Sequence, residues 1–69
     1  MARSKYGQLV LNIIATSPAR CVKREILIEE IAKQTGEPRD RVENALGKLL
    51  RQFVARGMLE RKNGYYCMK

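Results

Sequence analysis

Five polar residues at helical intervals carry the most chemistry in this sequence. At about 100° per residue, they share one side of a helix over residues 39–56, with no carboxylate at its centre. Guanidinium, ammonium and amide groups donate hydrogen bonds and favour anions, so this side predicts an anionic partner. Arg39 adds a cation at the helix N-terminus, where unpaired backbone N–H groups also attract phosphate. The five are Arg41, Asn44, Lys48, Arg51 and Gln52.

A second cationic segment follows directly. Asn63-Gly64 lies between two short alternating runs and predicts a type I′ hairpin turn, because both residues tolerate positive φ. A helix and a hairpin then offer two basic surfaces of different shape, which suit a grooved polyanion better than a small substrate. The predicted strand pairs are Leu59 with Met68, Glu60 with Cys67, Arg61 with Tyr66 and Lys62 with Tyr65.

The overall charge agrees with an anionic partner. Fourteen Lys and Arg against seven Asp and Glu give 69 residues a formal net charge of +7 and a pI near 9.9. The surplus is interrupted by an acidic stretch over residues 25–37. A chain of this length predicts a single domain, residues 1–69, with one small core and no second site.

Composition argues against several functions. Two cysteines and no histidine cannot supply four zinc ligands, so we expect no metal. With no glycine-rich phosphate loop and no carboxylate pair in a predicted cleft, we expect no enzyme activity, no cofactor and no small-molecule substrate. Cys21 and Cys67 fit two free, half-buried strand thiols or one long-range disulfide, of which we favour the thiols.

Hydropathy indicates no membrane partner. No apolar run approaches the ~18 residues that span a bilayer. Residues 9–15 follow Arg3 and Lys5 in the manner of a signal peptide, but Gln8 and Asn12 interrupt them and their spacing fits a helix face. We therefore expect a cytoplasmic, nucleoid-associated protein.

Apolar periodicity places three helices and a short strand around the two cationic segments. Ser4 can cap the first helix, which Ser17-Pro18 ends, and a brief strand is expected over residues 21–23. A second helix ends at Thr35-Gly36, and Pro38 suits the first turn of the third. The predicted core residues of these helices are Tyr6, Leu9, Val10, Ile13, Ile14, Leu27, Ile28, Ile31, Ala32, Val42, Ala45, Leu46, Leu49, Leu50 and Phe53.

Two further expectations concern individual residues. In the hairpin, Leu59 and Met68 should seal the core and Tyr66 should form a partly buried lid. Gly47 within the third helix costs about 1 kcal/mol relative to alanine, so it either permits a close approach or marks a bend.

This order of elements resembles the winged helix-turn-helix family, an α+β fold of three helices with a C-terminal β-hairpin wing. The resemblance covers the whole chain and is carried by Ile28-x-x-Ile31-Ala32-x-x-Thr35-Gly36, Val42-x-x-x-Leu46-x-x-Leu49 and Gly57-Met58-Leu59. The chain departs from the family pattern in two ways. Gly57 comes one helical turn late, which predicts a longer third helix, and the second helix is acidic, so Glu29 and Glu30 should face away from any bound DNA.

The resemblance implies a sequence-specific regulator of transcription that binds double-stranded DNA, with the third helix in the major groove and the 58–69 hairpin as wing. Arginine pairs with guanine and asparagine with adenine, so Arg41 and Asn44 are expected to read bases. Lys48 and Arg51 would contact bases or phosphates, and Arg39 a phosphate. The expected contacts of the wing are Arg61, Lys62, Asn63 and Tyr65, joined by an N-terminal arm of Arg3 and Lys5.

Other expectations also follow from the resemblance. A palindromic target would need a homodimer, through the first or third helix. Winged helices also serve as protein-interaction adaptors in nucleoprotein assemblies, and this is the alternative function; binding to RNA or single strands is less favoured because aromatics make up only 6% of the chain. The first strand lies beside the last in this family, which would bring Cys21 and Cys67 within bonding distance.

Overall fold

The protein combines three α-helices with a small antiparallel sheet. The last two strands of the sheet follow the third helix. The structure, a computed structural model, describes residues 5–69, including the backbone but not the side chain of Lys5. The predicted Ser4 cap and Arg3 lie outside the described residues. The elements are α1 (Lys5–Thr16), a 3-10 turn (Pro18–Arg20), β1 (Cys21–Lys23), α2 (Arg24–Thr35), α3 (Arg39–Ala55), β2 (Leu59–Lys62) and β3 (Tyr65–Met68).

The first helix ends where the sequence predicts. Val10 and Ile14 are fully buried, and the Ser17 hydroxyl donates a hydrogen bond of 2.6 Å to the Ile13 carbonyl in the last turn. Pro18 lacks a backbone N–H and starts the 3-10 turn that leads into β1. The brief strand expected over residues 21–23 is confirmed.

The link between α2 and α3 has three residues, numbered 36–38, and contains the glycine expected there. Gly36 is the C-terminal cap of α2, and the Thr35 hydroxyl donates to the Ile31 carbonyl at 2.7 Å. Pro38 lies one position earlier than expected: it is the N-cap of α3, and its carbonyl accepts the first helical hydrogen bond, from the Val42 N–H at 3.1 Å. The fixed φ of proline suits either position.

The third helix has 17 residues, in agreement with the predicted extra length. It stops after Ala55 because Gly57 adopts a φ of 79°, which allows a Schellman motif. In this motif the Gly57 N–H donates to the Val54 carbonyl and the Met58 N–H donates to the Phe53 carbonyl, at 3.0 and 2.9 Å. The chain then turns directly into β2.

The hairpin forms with the predicted turn and register. Asn63 and Gly64 have φ of 48° and 81°, as a type I′ turn requires, and all four predicted strand pairs are present. The sheet order is β1-β3-β2, so β3 is central and β1 pairs with it antiparallel. The expectation of two free thiols is wrong: Cys21 and Cys67 are direct partners across β1 and β3, with Cα atoms 4.0 Å apart, and form a disulfide.

One core lies between the helices and the sheet. The residues predicted to be buried on α2 and α3 are buried or half-buried, and Leu59 seals the core as expected, with 1% of its surface exposed. Tyr66 and Met68 are half-buried against it. Cys67 is also buried, although it points away from Leu59, because β1 and the disulfide cover it. The predicted mainly helical α+β class is confirmed.

Candidate functional site

The polar side of α3 faces solvent, as its periodicity predicts. We call this surface the outer face of α3 and define it by six exposed residues. Val42, Leu46, Leu50 and Phe53 are buried on the opposite side of the same helix. The outer face therefore projects from a helix held rigidly by its apolar stripe. Its members are Arg41, Asn44, Lys48, Arg51, Gln52 and Ala55.

Two arginines at the N-terminal end of α3 lie beside carboxylates. Arg39 is 3.6 Å from Glu29 of α2, and Arg41 is 3.4 Å from Glu37, four residues earlier. Glu29 was expected to face away from the binding surface, but it lies next to the arginine predicted to hold a phosphate. The charge of both arginines is therefore partly compensated. Both arginines are exposed, although Glu37 is half-buried, and surface pairs of this kind contribute about 0–1 kcal/mol, so an incoming anion can displace them.

The C-terminal half of the outer face differs. Among residues 5–69, no carboxylate lies within ion-pair distance of Lys48 or Arg51. Asn44 is exposed between the two ends. Uncompensated cations on a helix attract an anion more strongly than paired ones, because no partner has to be displaced.

The hairpin extends this cationic surface. Arg61, Lys62 and Asn63 are exposed at its tip, as predicted, and Tyr65 keeps 39% of its surface exposed. The ammonium of Lys23 lies 5.5 Å from the centroid of the Tyr65 ring, since the sheet register pairs these two residues. Sequence reasoning did not assign Lys23 to the site, and the only signal for it was the predicted neighbouring strand.

A groove of about 480 Å³ lies between α3 and the hairpin, and no pattern in the residues predicted it. We call it the α3–hairpin groove. Arg24 at the start of α2, Arg51 and Arg61 bring three guanidinium groups to it, and no acidic residue belongs to its described lining. The remaining lining is apolar, aromatic or small: Gly47, Leu50, Val54, Ala55 and Tyr66.

Two of these arginines lie beside other side chains. The Arg24 guanidinium is 3.9 Å from the carboxylate of Glu43, which lies on α3 one turn before Gly47. The guanidinium of Arg61 lies 6.0 Å from the centroid of the Tyr66 ring, its cross-strand partner. At this distance the attraction between cation and ring is modest, and the hydrogen-bond donors of Arg61 remain available.

The surface of the described residues offers cationic and aromatic groups. No group of three or more His, Cys, Asp or Glu residues in the described part of the chain is placed to hold a metal ion. None of the helices over residues 5–69 is long and apolar enough to cross a membrane. The arrangement can contact anions through several guanidinium groups and planar groups through two tyrosine rings.

Comparison with known proteins gives no match to a protein-family model, to a curated protein or to a solved structure.

Proposed function

We propose that this protein is a winged helix-turn-helix regulator of transcription that binds double-stranded DNA in a sequence-specific manner. The observation that carries the proposal is the uncompensated cationic surface formed by Lys48, Arg51, Arg61 and Lys62. It runs from the outer face of α3 onto the hairpin. DNA is the common polyanion with a groove wide enough for a helix and a flanking backbone for a second element.

The dimensions support this docking. A helix of 17 residues is about 26 Å long at 1.5 Å per residue. With side chains it measures about 10–12 Å across, close to the ~12 Å width of the major groove. The outer face of α3 would enter the major groove, and the hairpin tip would reach the adjacent backbone or minor groove.

The residues would divide the work by position. Arg41 and Asn44 would read bases, because their forked or paired donors match the major-groove edges of guanine and adenine. Arg41 would have to exchange Glu37 for its target, which exposed pairs allow at low cost. Lys48, Arg51 and Lys62 would anchor phosphates, and Arg39 would do so in competition with Glu29.

Duplex binding measured as a function of salt tests the proposal. The affinity of a DNA-binding protein should fall with a log–log slope of about −0.9 per phosphate neutralised. Arg41→Ala or Asn44→Ala should relax sequence preference, whereas Lys62→Ala should weaken binding to all sequences similarly. Lys33→Ala is the matched control, because Lys33 is an exposed cation of α2 outside the proposed surface. Unchanged duplex affinity in the three site variants would refute groove docking.

A protein-interaction adaptor is the second candidate function. Val54 and Met58 keep 37% and 39% of their surfaces exposed at the C-terminal end of α3. This end could contact a partner protein or a second copy of the chain, as a palindromic DNA site would require. An adaptor would show weak duplex binding with no sequence preference, and sedimentation of the protein with and without duplex would reveal a homodimer.

The proposed location is the cytoplasm, in association with DNA. The Cys21–Cys67 disulfide bears on this, because such bonds are uncommon in reducing compartments outside hyperthermophiles. Its oxidation state in cells would distinguish a protected cytoplasmic disulfide from an oxidising location. Labelling of thiols in rapidly quenched cells measures it directly.

A further inference from the structure

We propose that the α3–hairpin groove binds a small organic phosphate with a planar body, of which a nucleoside monophosphate is the simplest example. This goes beyond DNA binding and departs from the expectation of a single site, because the ligand would be a free small molecule. Only the expected effect of this ligand on DNA binding rests on the proposed function. The groove lies beside the outer face of α3 and shares Arg51 and Ala55 with it.

Three guanidinium groups give the groove a positive charge. Arg24, Arg51 and Arg61 come from α2, α3 and β2, and fold into the wall of one concave site. Neither Arg51 nor Arg61 has a carboxylate within ion-pair distance among residues 5–69. Like charges gathered around a concavity repel one another, and a bound anion removes that repulsion. Guanidinium groups bind phosphate through two parallel hydrogen bonds, which makes phosphate the best-matched anion.

The other side chains that line the groove are apolar or aromatic. Val54, which is 37% exposed, lines the groove from α3, and the half-buried Tyr66 lines it from the hairpin. Inorganic phosphate alone would leave these two side chains uncovered, whereas a planar ring would pack on them. The volume of about 480 Å³ lies within the ~300–1,000 Å³ range of small-molecule sites.

A glycine within α3, Gly47, also lines the groove. A glycine inside a helix costs about 1 kcal/mol, and this one lines the groove with its bare backbone. A Cβ placed there would lie 3.8 Å from Nη2 of Arg24 and would meet nothing else within 4 Å. Alanine is therefore compatible with the fold, and only a longer side chain would occupy the groove. A small residue at position 47 therefore keeps both the space and the Arg24 guanidinium accessible.

The same phosphate chemistry occurs in the DNA backbone. If the proposed function is correct, a ligand in the groove engages Arg51 and Arg61 and removes two cations from the DNA-binding surface. Free ligand would then weaken duplex binding. Such competition would regulate the protein without any change of fold.

Titration of the full-length protein with three probes tests the proposal, with backbone amide chemical shifts as readout and no DNA present. Adenosine 5′-monophosphate should bind at least tenfold more tightly than adenosine or inorganic phosphate. The shifts should be largest around Gly47, Val54 and Tyr66. Equal affinity for inorganic phosphate and the nucleotide would identify an adventitious ion only and overturn the proposal, as would the absence of saturation at millimolar nucleotide.

Matched variants locate the site. Gly47→Leu should lower nucleotide affinity at least tenfold, whereas Gly47→Ala should leave it within about twofold, because only leucine reaches into the groove. Arg61→Gln provides a second variant at an exposed position, where folding is not at risk, and should also weaken the nucleotide at least tenfold. Unchanged nucleotide affinity in Arg61→Gln would overturn the proposal.

Separate titrations with duplex distinguish the two sources of phosphate. Gly47→Leu should leave duplex affinity within about twofold, since the outer face of α3 is unaltered. If it weakens duplex binding and the nucleotide does not bind, the groove belongs to the DNA interface and the small-ligand proposal is wrong. If the nucleotide binds but duplex does not, the proposed function fails while this site stands.

Discussion

The two ends of α3 carry similar numbers of cations but differ in what surrounds them. At the N-terminal end, Arg39 and Arg41 each lie within 4 Å of a carboxylate, from Glu29 and Glu37. In the C-terminal half, Lys48 and Arg51 have no such neighbour in the described part of the chain. The strongest positive surface is therefore displaced toward the hairpin, away from the residues expected to read bases.

On the proposed function, the two ends of α3 would contribute differently to affinity for DNA and to selectivity for its sequence. Cations that must first leave a carboxylate contribute less net attraction, but their exchange adds discrimination when only the correct base restores the lost contact. Uncompensated cations attract any phosphate. On the proposed function, the hairpin half of α3 anchors the duplex and the N-terminal half selects the sequence.

The largest expected effect comes from removing the disulfide that joins β3 of the hairpin to β1. The Cys21→Ser, Cys67→Ser double variant should lose ~3 to 4 kcal/mol of unfolding free energy, because the bond spans a sequence separation of 46 residues and restricts the unfolded chain. Denaturant unfolding measures this loss. The unreduced native protein should show no titratable thiol, and two reactive thiols would contradict the pairing.

Paired substitutions compare the two ends directly. Lys48→Ala with Arg51→Ala should flatten the salt dependence of duplex binding by about two units of slope, one for each phosphate contact. Arg39→Ala with Arg41→Ala should flatten it by about one unit or less, because both arginines already have carboxylate partners. Filter binding at several salt concentrations gives both slopes. Equal slopes for the two double variants would remove the distinction between the ends.

Gly47 lies between the two ends and tests how tightly Arg24 packs there. Gly47→Ala should raise the unfolding free energy by about 0.5–1 kcal/mol, because alanine favours a helix and its Cβ makes only ordinary contact at 3.8 Å. Thermal unfolding should show a rise of about 4–8 °C per kcal/mol. A lower melting temperature would show that the Arg24 side chain needs the bare backbone.

The smallest effect comes from removing one compensating carboxylate. Glu37→Gln should strengthen duplex binding by about twofold to fivefold at low salt, since exposed pairs contribute no more than ~1 kcal/mol. The gain should vanish at high salt because the charges are then screened. Glu25→Gln is the matched control, because Glu25 is an exposed carboxylate of α2 with no ion pair among residues 5–69. An identical gain in the control would show a general charge effect instead.

Much of the fold could be predicted because its signals are local. The apolar stripe of α3 follows from intervals of three and four residues, and the hairpin register follows from Asn63-Gly64 with its paired positive φ angles. The element order and the outer face of α3 were predicted for the same reason. The one-residue difference at Pro38 reflects the weakness of sequence signals at helix boundaries.

The sequence by itself thus determined which side of α3 is polar, where the chain turns and how β2 meets β3. Tertiary structure alone decided which cations are compensated, that Cys21 bonds to Cys67, and that Arg24, Arg51 and Arg61 surround one groove. The physical reason is distance along the chain. Turn and helix preferences act over a few residues, whereas ion pairs, disulfides and grooves depend on side chains that only the packing of separate elements brings together.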